Sequence, residues 1–205
     1  MIAVLRHFVP VLLSGFLVNL EVAFGAVVIG LAVGVPLALL RQRVRWAGRI
    51  VWPGVRLMQA APTYAIMFFA LSALPRDLSV FGWHVVGLVA VMLAQAVYMI
   101  AYVAENFYRA LRHLDQGERE HALLFLPNLL RGFVVVVMSS GFGAAIGVSE
   151  AVGVTMQQAE LLHAVGDRVL LFVAVIGLFA VVFGGANAAI RWLVRRLTAR
   201  VVARV

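Results

Sequence analysis

The sequence predicts an all-α protein that crosses a membrane about five times, as a single transmembrane domain spanning residues 1–205. Two observations carry this. The chain is 64% hydrophobic and only 13% charged, with a mean hydropathy of +1.02, whereas a soluble domain of this length exposes far more charge. Its apolar residues also come in unbroken runs that reach the roughly 20 residues needed to cross a hydrocarbon core as helix. A membrane barrel would show short alternating segments instead. The chain has no Cys, which excludes disulfides, thiolate chemistry and cysteine metal sites. Its five His residues are scattered along the sequence without a metal-ligand spacing, and no metal is expected.

Taken in order, residues 1–12, interrupted by Pro10, are expected to form a short interfacial helix. A secretory signal with Arg6 as its charged region is the rival for this end. Apolar residues continue to Leu40, past any signal core, which favours a retained span. Crossings are expected at about 18–40, 56–75, 83–104, 129–148 and 168–190. Gly25, Gly30 and Gly34 on the first span fit close helix packing better than a phosphate loop. The chain lacks GxxxxGK[ST], so it is not expected to hydrolyse ATP itself. Between the third and fourth crossings lies a polar segment, 105–128. In the tail, 191–205, Arg191, Arg195, Arg200 and Arg204 alternate with Leu193, Val194, Leu197, Val201 and Val202. That pattern suits a basic amphipathic helix lying on anionic lipid, or equally a solvated helix end.

All 17 basic side chains are Arg, and the pI is about 11.4. They cluster at the ends of apolar runs rather than among exposed aromatics, so they set orientation and no nucleic-acid partner is expected. Arg41, Arg43, Arg45, Arg49 and Arg56 follow the first span, Arg109, Arg112, Arg119 and Arg131 follow the third, and the tail carries its own set; only Arg6, Arg76 and Arg168 fall on the other side. The positive-inside rule places the N-terminus outside and the 105–128 loop and C-terminus in the cytoplasm; the resemblance described next implies a bacterial inner membrane.

The segment AYVAENFYRALRHLDQGEREHA, Ala101 to Ala122, resembles the cytoplasmic loop of the permease subunits of type I ABC importers, in the branch that takes up polar amino acids. That family's pattern runs roughly AYxAExxRGGIxxVPxGQxEAAxxLG. Ala101, Tyr102, Ala104, Glu105, Gly117, Glu120 and Ala122 match it, and His121 replaces the middle Ala of the EAA letters. Residues Gly15 to Arg41 are similar to the family's first span, and AAIGVSE, Ala144 to Glu150, to its VIGVPE. The resemblance implies a coupling helix that docks a cytoplasmic ATPase, with Asp115, Gly117, Glu118, Glu120, His121 and Ala122 as its contact residues. A helix laid into a groove is a general mode of recognition, Gly117 supplies a permissive turn, and Glu120 suits the start of a helix. A loop serving topology alone is the plainer alternative. The chain departs from the family after Ala122, where Leu126-Pro127 leads quickly into the fourth span, and Gln59-Ala60-Ala61-Pro62 replaces an RGTP. A second, longer permease is therefore expected beside this one.

Polar residues in spans mark either a solute path or an interhelical hydrogen bond. The candidates are Gln95 and Tyr98, which share a helix face, together with Ser139, Ser140, Asn187 and Glu21; Glu21 is expected near the outer interface. Function is thus expected to be that of a permease subunit, forming half of a pore for polar amino acids or similar solutes. The implied partners are the second permease, an ATPase dimer that carries the ATP and Mg, a soluble solute-binding protein outside, and membrane lipid. No cofactor is expected on this chain and no covalent catalysis. A regulatory membrane subunit and an ion-coupled secondary transporter are the alternatives, the latter wanting inverted repeats that the sequence lacks.

Overall fold

A computed structural model describes the backbone of residues 2–44, 46–80 and 83–202, and the side chains of 8–44, 46–79 and 85–196. The helices are α1 (Ile2–Arg43), α2 (Ala47–Ala60), α3 (Thr63–Ala73), α4 (Val86–Asp115), α5 (Arg119–Leu123), α6 (Phe125–Ser139), α7 (Ala151–Glu160) and α8 (Val165–Val202). A 3-10 segment, Ser140–Ile146, prolongs α6. Between α3 and α4, β1 (Ser79–Val80) pairs antiparallel with β2 (Trp83–His84).

The spine of the fold is the contact between α1 and α4. A Cβ at Gly30 would stand 2.7 Å from the Met99 Cβ and 3.0 Å from its carbonyl carbon, and one at Gly34 would stand 2.7 Å from the Ile100 carbonyl oxygen. Removing the side chain at these positions is what lets the two backbones touch. Gly25 faces the Met92 side chain instead. These pairings ascend together, 25 with 92, 30 with 99 and 34 with 103, so α1 and α4 run parallel.

Parallel neighbours require the intervening chain to cross back. Val55 of α2 clusters with Leu37, Ala101 and Ala104, and Met67 of α3 with Val22, Val91 and Ala94 at the other end of the same two helices. The segment expected to cross at 56–75 therefore runs back along α1 and α4, but as two helices broken at Pro62 rather than one span. Pro62 lacks an N–H and pushes the preceding Ala61 to an extended φ of −71° and ψ of 127°. With 11 residues, α3 is about 16 Å long and cannot cross alone. The fourth crossing runs against α4, with Asn128 beside Asn106, Ser139 beside Gln95 and Gly143 against Val91. Pro127 sits in the first turn of α6, where its missing N–H costs nothing. The fifth, α8, runs parallel to α1, with Leu171 and Val175 near Phe8 and Leu12 and Phe179 and Phe183 against Phe16. Among the described residues, four helical stretches, Phe8–Arg43, Val86–Asp115, Arg119–Ile146 and Val165–Arg196, are long and apolar enough to span a membrane singly, against the five crossings expected. Thr63–Ala73 of the α2–α3 pair is apolar but shorter.

Several expected boundaries are corrected. Residues 2–12 are the start of α1 rather than a separate interfacial helix. Phe8 and Leu12 are buried on Ala151, Val154 and Leu171, and that burial overrides the breaking tendency of Pro10. The third crossing begins at Val86 and continues as helix to Asp115, so the first part of the supposed 105–128 loop is helical. Charge marks where apolar solvent ends, not where hydrogen-bonded helix ends, and the pair between Glu105 and Arg109 supports the extension. The tail likewise prolongs α8 to Val202 instead of turning to lie along the surface. Its Leu197, Arg200, Val201, Val202 and Arg204 fall outside the described side chains.

Candidate functional site

Helix α4 ends in a turn built on Gly117, whose φ is +80°. The Gly117 N–H donates to the Leu114 carbonyl at 3.1 Å, and the Glu118 N–H reaches back to the His113 carbonyl at 2.8 Å. This Schellman arrangement satisfies the last carbonyls of α4, and its left-handed residue favours glycine. It launches α5 in a fixed direction, and α5 packs against α8.

All six residues expected for ATPase coupling lie on this turn and helix. Asp115 closes α4 and accepts a hydrogen bond from Gln42 Nε2 of α1. The Glu118 carboxylate stands 2.7 Å from His113 Nδ1 and 3.5 Å from His121 Nδ1. Glu120 is exposed in the first turn of α5. Ala122 borders a hollow of about 390 Å³ walled by Phe107, Leu111, Leu114 and Phe125.

A brace beneath this surface was not singled out from the sequence. The Arg41 guanidinium bonds Glu105 at 3.0 Å and lies between the Trp52 ring, at 4.1 Å, and the Tyr108 ring, at 3.7 Å. It ties α1, α2 and α4 together, and Glu105 also holds Arg109 at 3.0 Å. Beside it, Tyr102 Oη donates to the Asn128 carbonyl at 2.9 Å, which fixes the start of α6 on α4. In the sequence Arg41 counts only towards orientation, because its aromatic partners lie on helices distant in sequence.

The residues expected along a solute path do not converge. Gln95 is buried and accepts from Ser139 Oγ at 3.0 Å. Tyr98 stacks on Tyr102 with centroids 5.7 Å apart. Ser140 is buried in a second network, in which Asn19 Nδ2 donates to Ser140 Oγ at 2.7 Å and to Glu150 Oε2 at 3.0 Å. Asn187 is exposed on α8 and bonds the Phe183 carbonyl. Glu21 is exposed next to Val22, at the level of Val91 in the second turn of α4.

Asn19 and Glu150 are the polar residues that sequence reasoning missed. Glu150 caps α7: its Oε2 accepts from the Val152 N–H and its Oε1 from the Gly153 N–H, both at 2.9 Å. Asn19 Oδ1 accepts the Ala151 N–H at 3.0 Å. Burial pushes the Glu150 carboxyl up, and the Val152 N–H, the Asn19 amide and the Gly153 N–H pull it back. A carboxylate directly before the apolar stretch Ala151–Val154 is the local signal for this cap. The network floors a mostly apolar cavity of about 340 Å³ between α1, α6 and α8, lined by Phe16, Met138, Ile176, Phe179 and Phe183. Among the described residues no buried side-chain nitrogen or oxygen lacks a hydrogen-bond partner. The polar core thus joins α1 to the 3-10 segment and α7, with its bonding capacity spent on the fold.

Comparison with known proteins agrees with the resemblance read from the loop. Residues 30–125 match the family described as binding-protein-dependent transport system inner membrane component. Over 117 residues the chain is 29% identical to a probable amino-acid ABC transporter permease protein of Sinorhizobium fredii. That alignment takes in 55% of this chain, and the chain spans 48% of the relative's length. The fold is similar to that in the crystal structure of an amino acid ABC transporter with histidines, with a TM-score of 0.73 and 20% identity over 94% of this chain and 96% of that one. It is also similar to an inward-facing form of the MetNI methionine ABC transporter, with a TM-score of 0.69 and 17% identity over 91% and 96% of the two chains. The chain has the fold of these two ABC transporter chains.

Proposed function

We propose that this chain is the membrane permease subunit of an ATP-driven importer for polar amino acids or similar small solutes, with a transport rather than a catalytic role. The observation that carries the reading is the exposed α5, held at the end of α4 by the Gly117 turn, linked to α1 through Asp115 and Gln42 and packed on α8. A push on α5 therefore reaches three crossings at once. Packed helices shift as rigid bodies, so a small displacement at a surface helix becomes a tilt of the spans.

In this proposal Glu118, Glu120, His121 and Ala122 meet a cytoplasmic ATPase dimer, which binds ATP and Mg. A soluble binding protein delivers solute at the opposite face. A second permease completes the pore, and we take it to be longer, because α5 here has only five residues. The arginine distribution places α5 and the C-terminus in the cytoplasm and the N-terminus outside. The basic end of α8 then meets the anionic inner leaflet.

The test is Glu120→Arg, which reverses an exposed charge on α5 without touching the packed spans. Co-purification of the ATPase should fall about five- to thirtyfold, the equivalent of ~1–2 kcal/mol of lost contact. Unchanged co-purification together with unchanged uptake would remove α5 as the coupling element.

A further inference from the structure

We propose that His113, Glu118 and His121 form a binding site for a borderline transition-metal ion, of which Zn²⁺ is the best match, across the α4–α5 turn. The site shares Glu118 and His121 with the surface proposed above to meet the ATPase, but metal binding is measured on this chain alone and does not depend on that reading. Among the described residues, these three are a group whose ligand atoms all lie within 4.8 Å of one another. One donor comes from the last turn of α4, one from the turn itself and one from α5.

Sequence spacing conceals the group, since His113 and His121 follow no familiar ligand interval. The backbone brings them together. In the Schellman turn the N–H of Glu118 bonds the carbonyl of His113, which sets the side chains of these two residues side by side. An apolar contact usually fills that place. Here it is a carboxylate against an imidazole, 2.7 Å apart. His121 lies three residues further on, one α5 turn away, so it returns to the same side as Glu118. Its ring stacks on that of His113 with centroids 5.2 Å apart.

Two imidazoles and one carboxylate are the donor set that catalytic zinc sites use, with the fourth position left to water or an incoming group. Tetrahedral ligands at the usual zinc distances are about 3.3 Å apart. The two spacings from Glu118 Oε2, 2.7 and 3.5 Å, bracket that value. The ligand atoms of the two imidazoles lie within 4.8 Å of each other, so binding draws the rings together by side-chain rotation. His113 is half-buried while Glu118 and His121 are exposed, so an ion can reach the group from solvent. Mg²⁺ and Ca²⁺ prefer all-oxygen sites and fit poorly. Occupancy would pin α5 to α4 and so stiffen the turn.

The experiment uses the full chain, free of any histidine tag, in lipid nanodiscs, titrated with Zn²⁺ against a chelating dye. One Zn²⁺ per chain is expected, with Mg²⁺ unable to compete. His121→Ala, His113→Ala and Glu118→Gln should each weaken binding about tenfold or more, whereas His163→Ala should not. Co²⁺ in place of Zn²⁺ should give the visible absorption of a four-coordinate ion, lost in His113→Ala. Because the altered side chains lie on the surface turn, an unchanged thermal unfolding profile without metal identifies a loss as one of ligation. Absence of stoichiometric Zn²⁺ binding overturns the proposal, and so does binding that survives in His113→Ala/His121→Ala.

Discussion

The glycines of α1 and α2 offer the sharpest test of the helix packing, because one substitution, Gly→Ala, should have opposite signs at different positions. At Gly34 the new Cβ would lie 2.7 Å from the Ile100 carbonyl oxygen, 2.9 Å from the Val103 Cβ and 3.0 Å from the Ala104 nitrogen. Ordinary contact begins near 3.4 Å, so α1 must retreat by several tenths of an ångström from a neighbour that is itself backbone. Overpacking of this kind costs about 1–3 kcal/mol, against a gain of up to about 1 kcal/mol in helix propensity. Gly30→Ala meets Met99 in the same way. Both variants should lose about 1–2 kcal/mol net. At Gly25 the atoms met are Met92 Sδ and Cε, at 2.5 and 2.8 Å, and a flexible thioether can move aside. Gly25→Ala should therefore be near neutral, and Gly54→Ala, which meets nothing within 4 Å, should stabilise by about 1 kcal/mol. Unfolding in mixed micelles, followed by circular dichroism, measures all four. Equal costs at Gly25 and Gly34, or a stabilised Gly34→Ala, would refute the parallel α1–α4 contact.

Two further outcomes follow from polar contacts. Glu150→Gln is nearly isosteric, yet either orientation of the amide places an N–H₂ against donors: Gly153 N–H on one side, or Val152 N–H and the Asn19 amide on the other. It should destabilise by about 1–3 kcal/mol, measured by the same unfolding assay, and a neutral result would contradict the buried cap. Arg41→Lys keeps the charge near Glu105 but loses the planar group between Trp52 and Tyr108. A cost of about 1 kcal/mol is expected, and no cost would mean that the rings do not hold the guanidinium.

Much of the architecture was legible in the sequence, because hydrocarbon imposes one requirement on length and polarity. The long apolar helices followed from apolar runs, and the packing role of Gly30 and Gly34 from their spacing. Helix ends were not legible. Hydropathy reports where the apolar solvent stops, so it ended the third crossing near residue 104 although the backbone stays helical to Asp115. It also joined 56–75 across Pro62, where the chain is extended. The turn at Gly117 was readable because a positive φ favours one residue type. The Arg41–Glu105 pair and the Asn19–Ser140–Glu150 network were not, since they join residues 64, 121 and 131 positions apart. The His113–Glu118–His121 group shows the same limit over a short range, where a single turn, rather than a regular period, sets the side chains together.

Native mass spectrometry of the chain purified in mild detergent from its own membranes, with activity checked on the same preparation, tests the central claim most directly. The account predicts an assembly holding one copy of this chain, a second and longer membrane subunit, and a pair of ATPase subunits, with ATP hydrolysis raised by solute-loaded binding protein. A folded chain that carries no ATPase would contradict the importer reading. A transport-competent complex whose only membrane subunits are two copies of this chain would contradict the unequal pair.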